Sequence, residues 1–309
     1  MWPSKDHTHS HAVIYVKLVL TAIFWGGTFI AGRHVSKHMD PFTIAFLRFA
    51  MASAILLALL WSQEGRLPRL TRGQFVLIIL LGATGVFAYN ALFFRSLRLI
   101  EASRASLIVS MSPALIAVAS ALFLREGSGR LLAHPLRVVG IPLSVLGAVV
   151  VISQGDLRQI FTGGVGLGEL FSIGCVLSWV IYSVLGKVAM RQLSPLTAVA
   201  YSSAIGALAL AVPAGMEGPA RNLGSVSWID WASIAYLAVF GTVLGFVWFY
   251  EGVQRIGAPR AGLFINFVPV SAVILAAVIL HEPITWSLAV GAALVLSGVF
   301  LTNRSSKTE

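Results

Sequence analysis

The sequence predicts an all-α polytopic membrane protein, with ten transmembrane helices arranged as two inverted five-helix repeats. Three observations predict it. The hydrophobic fraction is 57%, charged residues make up 11% and mean hydropathy is +0.87, which leaves too little polar surface to solvate a water-soluble domain. Apolar stretches of about 20 residues, the length that crosses the hydrocarbon core, recur through the chain. The sequence also repeats itself. Trp25, Gly32, Arg33, Pro41 and Thr43 return at a constant offset as Trp179, Gly186, Lys187, Pro195 and Thr197. Gly85, Ala102, Arg104, Pro113 and Glu126 return as Gly241, Ala258, Arg260, Pro269 and Glu282, which marks an internal duplication. With an odd number of spans per copy, the second copy lies upside down in the bilayer.

In chain order, a tail at 1–11 precedes a first span near 12–32. No small-residue cleavage site follows it, so it reads as a permanent helix, not a signal peptide. Trp25, Thr28 and Gly32 share one of its faces. The second span, 41–61, is interrupted by Arg48, about 10 Å along the helix at 1.5 Å per residue. A charge at that depth faces water or a partner, unless it snorkels back toward the headgroups near Asp40. The third span, 74–94, carries Tyr89 and Asn90. The fourth, 104–124, contains Pro113 and is followed by Glu126, and a fifth near 137–153 closes the first repeat (12–153).

A connection at 154–165 reads as a flexible joint, because no strand precedes Gly163, Gly164, Gly166 and Gly168 to make them a phosphate loop. The second repeat, 166–302, holds spans near 166–186, 196–214, 230–250, 260–280 and 285–302, before a tail at 303–309. Trp179, Tyr182 and Gly186 repeat the aromatic face of the first span. The matching span of the second repeat carries Trp248, Phe249 and Tyr250. Asn266 precedes Pro269 in the ninth span, and Glu282 follows that span.

These positions suggest roles. A mixed aromatic, hydroxyl and glycine face suits a cavity wall, with helix packing as the alternative. Asn90 and Asn266 act either as clasps between helices or as solute contacts. Pro113 and Pro269 each remove a backbone donor, so the spans kink at matched places and make candidate hinges. Glu126 and Glu282, at span edges, are expected to be structural anchors that accept hydrogen bonds from a helix N-terminus. No Asp or Glu lies deep in any span, which argues against a central proton-carrying carboxylate.

The formal charge of +10 is read as topology signal and headgroup contact, not nucleic-acid binding. Loops on the N-terminal side hold more Lys and Arg, among them Arg66, Arg69, Arg72, Arg191 and Arg255, than the opposite loops, with Arg33, Lys37, Arg98 and Arg104. The positive-inside rule then puts both termini in the cytoplasm. The single cysteine, Cys175, excludes an internal disulfide. Neither a nucleotide-binding loop nor a nucleophile–His–carboxylate set is present, so no enzyme activity, cofactor or metal is expected. His7, His9 and His11 in the tail form at most a loose metal grip.

The stretches Phe24 to Thr28, Leu47-Arg48-Phe49, Ala105 to Pro113 with Glu126, and Gly140 to Gly147 carry a family resemblance. Arg260 to Pro269 with Glu282, and Gly291 to Gly298, repeat it. The chain resembles the EamA-type branch of the drug/metabolite transporter superfamily and, within it, amino-acid exporters of the YddG type. The resemblance implies two inverted five-helix repeats around a central cavity, working by alternating access. It also implies an inner-membrane exporter of neutral and aromatic amino acids. Small four-helix relatives carry a Glu in their first helix for proton coupling; this first helix has none, so that mechanism is not carried over. Other solutes, or a sensor without transport, remain as alternatives. The expected substrate-binding set is Trp25, Thr28, Arg48, Tyr89, Asn90, Trp179, Tyr182, Trp248 and Asn266. The expected partners are a small solute and the lipid bilayer, and the internal duplication makes a working monomer sufficient.

Overall fold

A computed structural model describes residues 11–123, 135–156, 165–218, 226–256 and 258–304. Glu126, the tail histidines 7 and 9 and much of the connection between the repeats lie outside these residues. The first repeat comprises α1 (His11–Val35), α2 (Pro41–Glu64), α3, α4 and α5 (Pro135–Ile152). α3 runs from Arg72–Leu81 through a π-helical turn, Gly82–Ala88, into Tyr89–Leu99, and α4 has two pieces, Ala102–Val109 and Ser112–Phe123. The second repeat comprises α6 (Leu167–Ala189), α7 (Pro195–Met216), α8, α9 and α10 (Trp286–Arg304). α8 runs from Trp228–Ala238 through a π-helical turn, Val239–Leu244, into Gly245–Ile256, and α9 has two pieces, Ala258–Ile265 and Phe267–Ile279. Seven segments are long and apolar enough to cross a membrane, and three shorter apolar helices, Val139–Ile152, Phe267–Ile279 and Trp286–Leu301, complete the ten passes.

The helix starts follow from local chemistry. Pro41 and Pro195 open α2 and α7 as repeat mates, where a missing N–H costs nothing. Thr71 with Gln74, and Ser227 with Asp230, form capping boxes at α3 and α8. Leu208, Val278, Leu122 and Trp61 are more than half exposed, as lipid-facing residues are, while alanine, serine and glycine fill the helix contacts.

The inversion can be traced through two contacts. Arg33, in the last turn of α1, donates to the carbonyl of Leu97 near the end of α3. The neighbouring Ser96 bonds Ser172 in the second turn of α6 at 2.6 Å. The sixth helix therefore starts on the side where the first one ends. Repeat mates pack on each other across the centre, α2 against α7 and α5 against α10. At the second crossing, a Cβ on Gly298 would strike the backbone of Gly140 and Ser144, so only glycine permits that approach.

The leading helices are exchanged between repeats. α1 packs chiefly on α8 and α9 of the other half, and α6 packs on α3 and α4. Hydrogen bonds follow the same exchange: Tyr236 Oη donates to the Phe24 carbonyl at 3.0 Å, and Ser271 Oγ to the Ala22 carbonyl at 3.1 Å. Lys17 pairs with Glu251 at 2.7 Å, and Arg104 with Glu169 at 2.9 Å. Arg104, expected in a loop, is thus buried inside α4, where its partner from α6 offsets its desolvation.

Two carboxylates cap helices from a distance. Glu282 accepts from the Ala102 and Ser103 amides at 2.8 and 3.0 Å and from Ser103 Oγ at 2.6 Å. The helix it caps, α4, belongs to the other repeat. Glu217, at the end of α7, does the same for α2 through Phe42 and Thr43. Each places an anion on the positive end of a helix dipole.

Candidate functional site

The site is built on the paired π-turns of α3 and α8. In a π-turn the amide reaches back five residues instead of four, which widens the helix and leaves carbonyls for other donors. Asn90 Nδ2 takes the carbonyls of Gly85 and Val86 at 3.3 and 2.9 Å. In the other repeat Thr242 Oγ1 donates to the Leu237 carbonyl at 3.0 Å, and Trp25 Nε1 to the Gly241 carbonyl at 3.0 Å. Gly241 is required here, since a Cβ would meet the Thr28 methyl at 2.6 Å.

Arg48 ties the two turns together. Its Nε donates to Thr242 Oγ1 at 3.1 Å and its Nη1 to Asn90 Oδ1 at 3.1 Å. The residue is 8% exposed, so it does not snorkel, and Asp40 pairs instead with Arg98 at 3.1 Å. Among the described residues no carboxylate forms an ion pair with Arg48. Its charge is held by neutral oxygens and by the Phe49 ring at 5.1 Å, with the second terminal nitrogen left over.

Arg48 opens onto a central cavity of about 150 Å³ that draws residues from both repeats. Of the residues expected to bind solute, Trp25, Thr28, Arg48, Tyr89, Trp179 and Asn266 line it, and so do Pro113 and Pro269. Trp25 and Trp179, repeat mates, differ in chemistry. The Trp25 N–H is committed to Gly241, whereas the Trp179 N–H makes no hydrogen bond among the described residues. The Trp179 ring leans on Tyr89 at 5.4 Å and on Tyr182 at 5.1 Å. Asn266 Oδ1 is buried without a partner.

The other expected residues stand behind the wall. Asn90 is 1% exposed and holds Arg48 in place. Tyr182 packs over Gly85 and supports Trp179. Trp248 points elsewhere, toward Phe24 at 5.7 Å and Lys17 at 6.0 Å. It is the neighbouring Phe249 that meets Trp25, because one residue turns a helix by about 100°. Glu282 lies outside the cavity as a helix cap. Both broken helices contribute their gaps. α4 is interrupted at Ser110–Met111 and α9 at Asn266, each shortly before its proline.

Sequence reasoning missed Thr242 and Phe246. Thr242 lies in the π-turn, whose only sequence signal is the close glycine pairs Gly82 with Gly85 and Gly241 with Gly245. Phe246 lines the central cavity and also a larger one of about 790 Å³, bounded by Glu64, Arg66, Pro195, Tyr250 and Glu251. That second cavity lies toward the chain's N-terminal side, where α2 ends and α7 begins. The Phe246 ring, edge-on to Trp25 at 5.6 Å, lines both cavities.

Two interlocked inverted repeats around a polar and aromatic cavity at mid-membrane depth are the construction of a membrane transporter. Comparison with known proteins makes this specific: the EamA-like transporter family matches residues 12–153 and again 166–304, and the chain belongs to that family. The chain is 32% identical over 289 residues to the uncharacterized transporter YyaM of Bacillus subtilis (strain 168), covering 94% of this chain and 93% of that one. An uncharacterized transporter of Archaeoglobus fulgidus is 28% identical over 288 residues, covering 93% of this chain and 96% of its own. The uncharacterized inner membrane transporter YhbE of Escherichia coli (strain K12) is 34% identical over 179 residues, 56% of this chain and 54% of its own. A solved crystal structure shares the fold, with a TM-score of 0.63 at 21% identity over 95% of this chain and 98% of that one. The protein is thus a multi-pass membrane transporter, not an enzyme.

Proposed function

We propose that the chain exports neutral and aromatic amino acids, or small metabolites that share their carboxylate, across the inner membrane by alternating access. The observation that carries this reading is Arg48, a buried cation in the cavity wall with no carboxylate to neutralise it among the described residues. A solute carboxylate supplies the missing charge, and the free Trp179 N–H adds a donor beside it. The unpartnered Asn266 Oδ1 suits the ammonium end of a zwitterion. Aromatic rings bind the side chain.

A phosphorylated solute would call for several cations, and among the described residues Arg48 is the sole Lys or Arg in the lining. A cationic drug would call for a carboxylate there. At about 150 Å³ the cavity is smaller than the ~300–1,000 Å³ usual for ligand sites, so an aromatic amino acid needs the cavity to widen. The broken helices α4 and α9 supply the hinges, at Pro113 and Pro269. With both termini in the cytoplasm, as loop charges indicate, the larger cavity becomes a vestibule on the cytoplasmic side. The duplicated chain is taken to work as a monomer.

The test is uptake of a labelled amino-acid panel into proteoliposomes holding only this protein, with and without a proton gradient. Saturable uptake of Thr, Met or aromatic amino acids that Trp179→Ala weakens supports the reading. Folded protein that carries no panel member overturns it.

A further inference from the structure

At the side of the membrane opposite the chain's N-terminus, His34 and His38 stand one helical turn apart at the end of α1, and Asp230 faces them from the first turn of α8. Asp230 is 2% exposed. Its Oδ2 is engaged by the Ser227 amide at 3.0 Å and by Ser227 Oγ at 2.6 Å. That leaves Oδ1 to both imidazoles, His38 Nδ1 at 2.8 Å and His34 Nε2 at 3.2 Å. His34 Nε2 is nevertheless buried and completes no hydrogen bond. Two rings crowd one oxygen, edge to face at 4.9 Å, and only one of them bonds it well.

We propose that His34, His38 and Asp230 form a binding site for a divalent transition-metal ion of the zinc type. Their three ligand atoms lie within 4.8 Å of one another. A tetrahedral zinc ion with bonds of about 2.0–2.1 Å to nitrogen and oxygen holds its ligands about 3.3–3.5 Å apart, which small side-chain rotations reach from here. Two imidazoles and one carboxylate are a donor set that zinc accepts, and the half-exposed His38 leaves the fourth position to water. The second carboxylate oxygen is already fixed by Ser227, so the ligand is oriented before any metal arrives. The ion would also give His34 the partner it lacks.

The site joins opposite repeats. α1 brings Trp25 and Thr28 to the central cavity, and α8 brings Gly241 and Phe246. A bound ion staples these helices at one end, so it favours whichever state holds them together.

Zinc titration of purified, tag-free protein by calorimetry tests the site directly, with His7, His9 and His11 replaced by Ala so that the tail cannot contribute. One ion per chain is expected to bind, with His34→Ala and His38→Ala each weakening affinity about tenfold or more. Tetrahedral Co²⁺ absorption should appear in the parent and vanish in the double variant. Magnesium and calcium should not compete, being oxygen-seeking ions. The proposal is overturned if the folded parent takes up no zinc, or if the double variant binds it as tightly. None of these readouts depends on transport, so they stand apart from the amino-acid reading.

Discussion

Trp25 Nε1 donates to the carbonyl of Gly241 at 3.0 Å, closing α1 of one repeat onto the π-turn of the other. Its repeat mate Trp179 has no such bond among the described residues, so a symmetric pair in the sequence does two different jobs. Trp25→Phe should leave the Gly241 carbonyl without this donor, at a cost of about 1–3 kcal/mol. Trp179→Phe should barely change stability and should raise KM about 3–10-fold, the worth of one hydrogen bond to solute. Thermal melts and transport kinetics on the two variants check this. Equal effects on both readouts would contradict the division of labour.

Arg48→Lys keeps a charge but not the fork that reaches Thr242 and Asn90 together. Transport should fall at least about tenfold, since a flexible ammonium positions a carboxylate less well. Arg48→Met should abolish it. Measured binding of the same solute separates lost recognition from lost folding: recognition is lost if the variant melts cooperatively and binds nothing.

Phe246→Ala removes the ring that lines both cavities. Counterflow should become faster and less selective, with bulkier solutes admitted. Phe246→Leu should stay near the parent. Unchanged selectivity in the alanine variant would mean the ring is no barrier.

Glu282→Gln and Glu217→Gln each turn charge-assisted caps into neutral ones. A loss of about 1–2 kcal/mol is expected for each, read as a lower melting temperature, with little change in KM. The two should add, because they cap different helices.

Replacing Pro113 and Pro269 by Ala together restores donors beside the breaks in α4 and α9. Transport turnover should slow several-fold while solute affinity holds. Kinetics identical to the parent would remove the hinge role.

The sequence made the architecture readable because lipid imposes it locally. Spans such as Pro41–Glu64 announce themselves by length and apolarity, and the echo of Trp25 in Trp179 exposes the duplication. Trp25, Arg48 and Asn266, which line the central cavity, stand out in the sequence because a polar or bulky group at membrane depth needs a reason. The π-turns do not, since Gly82 and Gly241 advertise only missing side chains. Glu217 carries no local signal of its capping role, because its partners, Phe42 and Thr43, lie far back in the chain. Asp230 likewise meets His38 across 192 positions, a distance no local pattern reports.

The exchange of leading helices has a consequence for biogenesis. When Trp25 is added to the growing chain, the segment that accepts its N–H is still 216 residues from being made. At synthesis rates of about 5–20 residues per second, that wait lasts roughly 10–40 s. During it α1 sits in lipid with its aromatic face unclaimed, and the first repeat remains an unfinished object. A half-length product therefore lacks the groove that α1 fills. Two halves expressed as separate chains should regain function only when each receives the other's first helix.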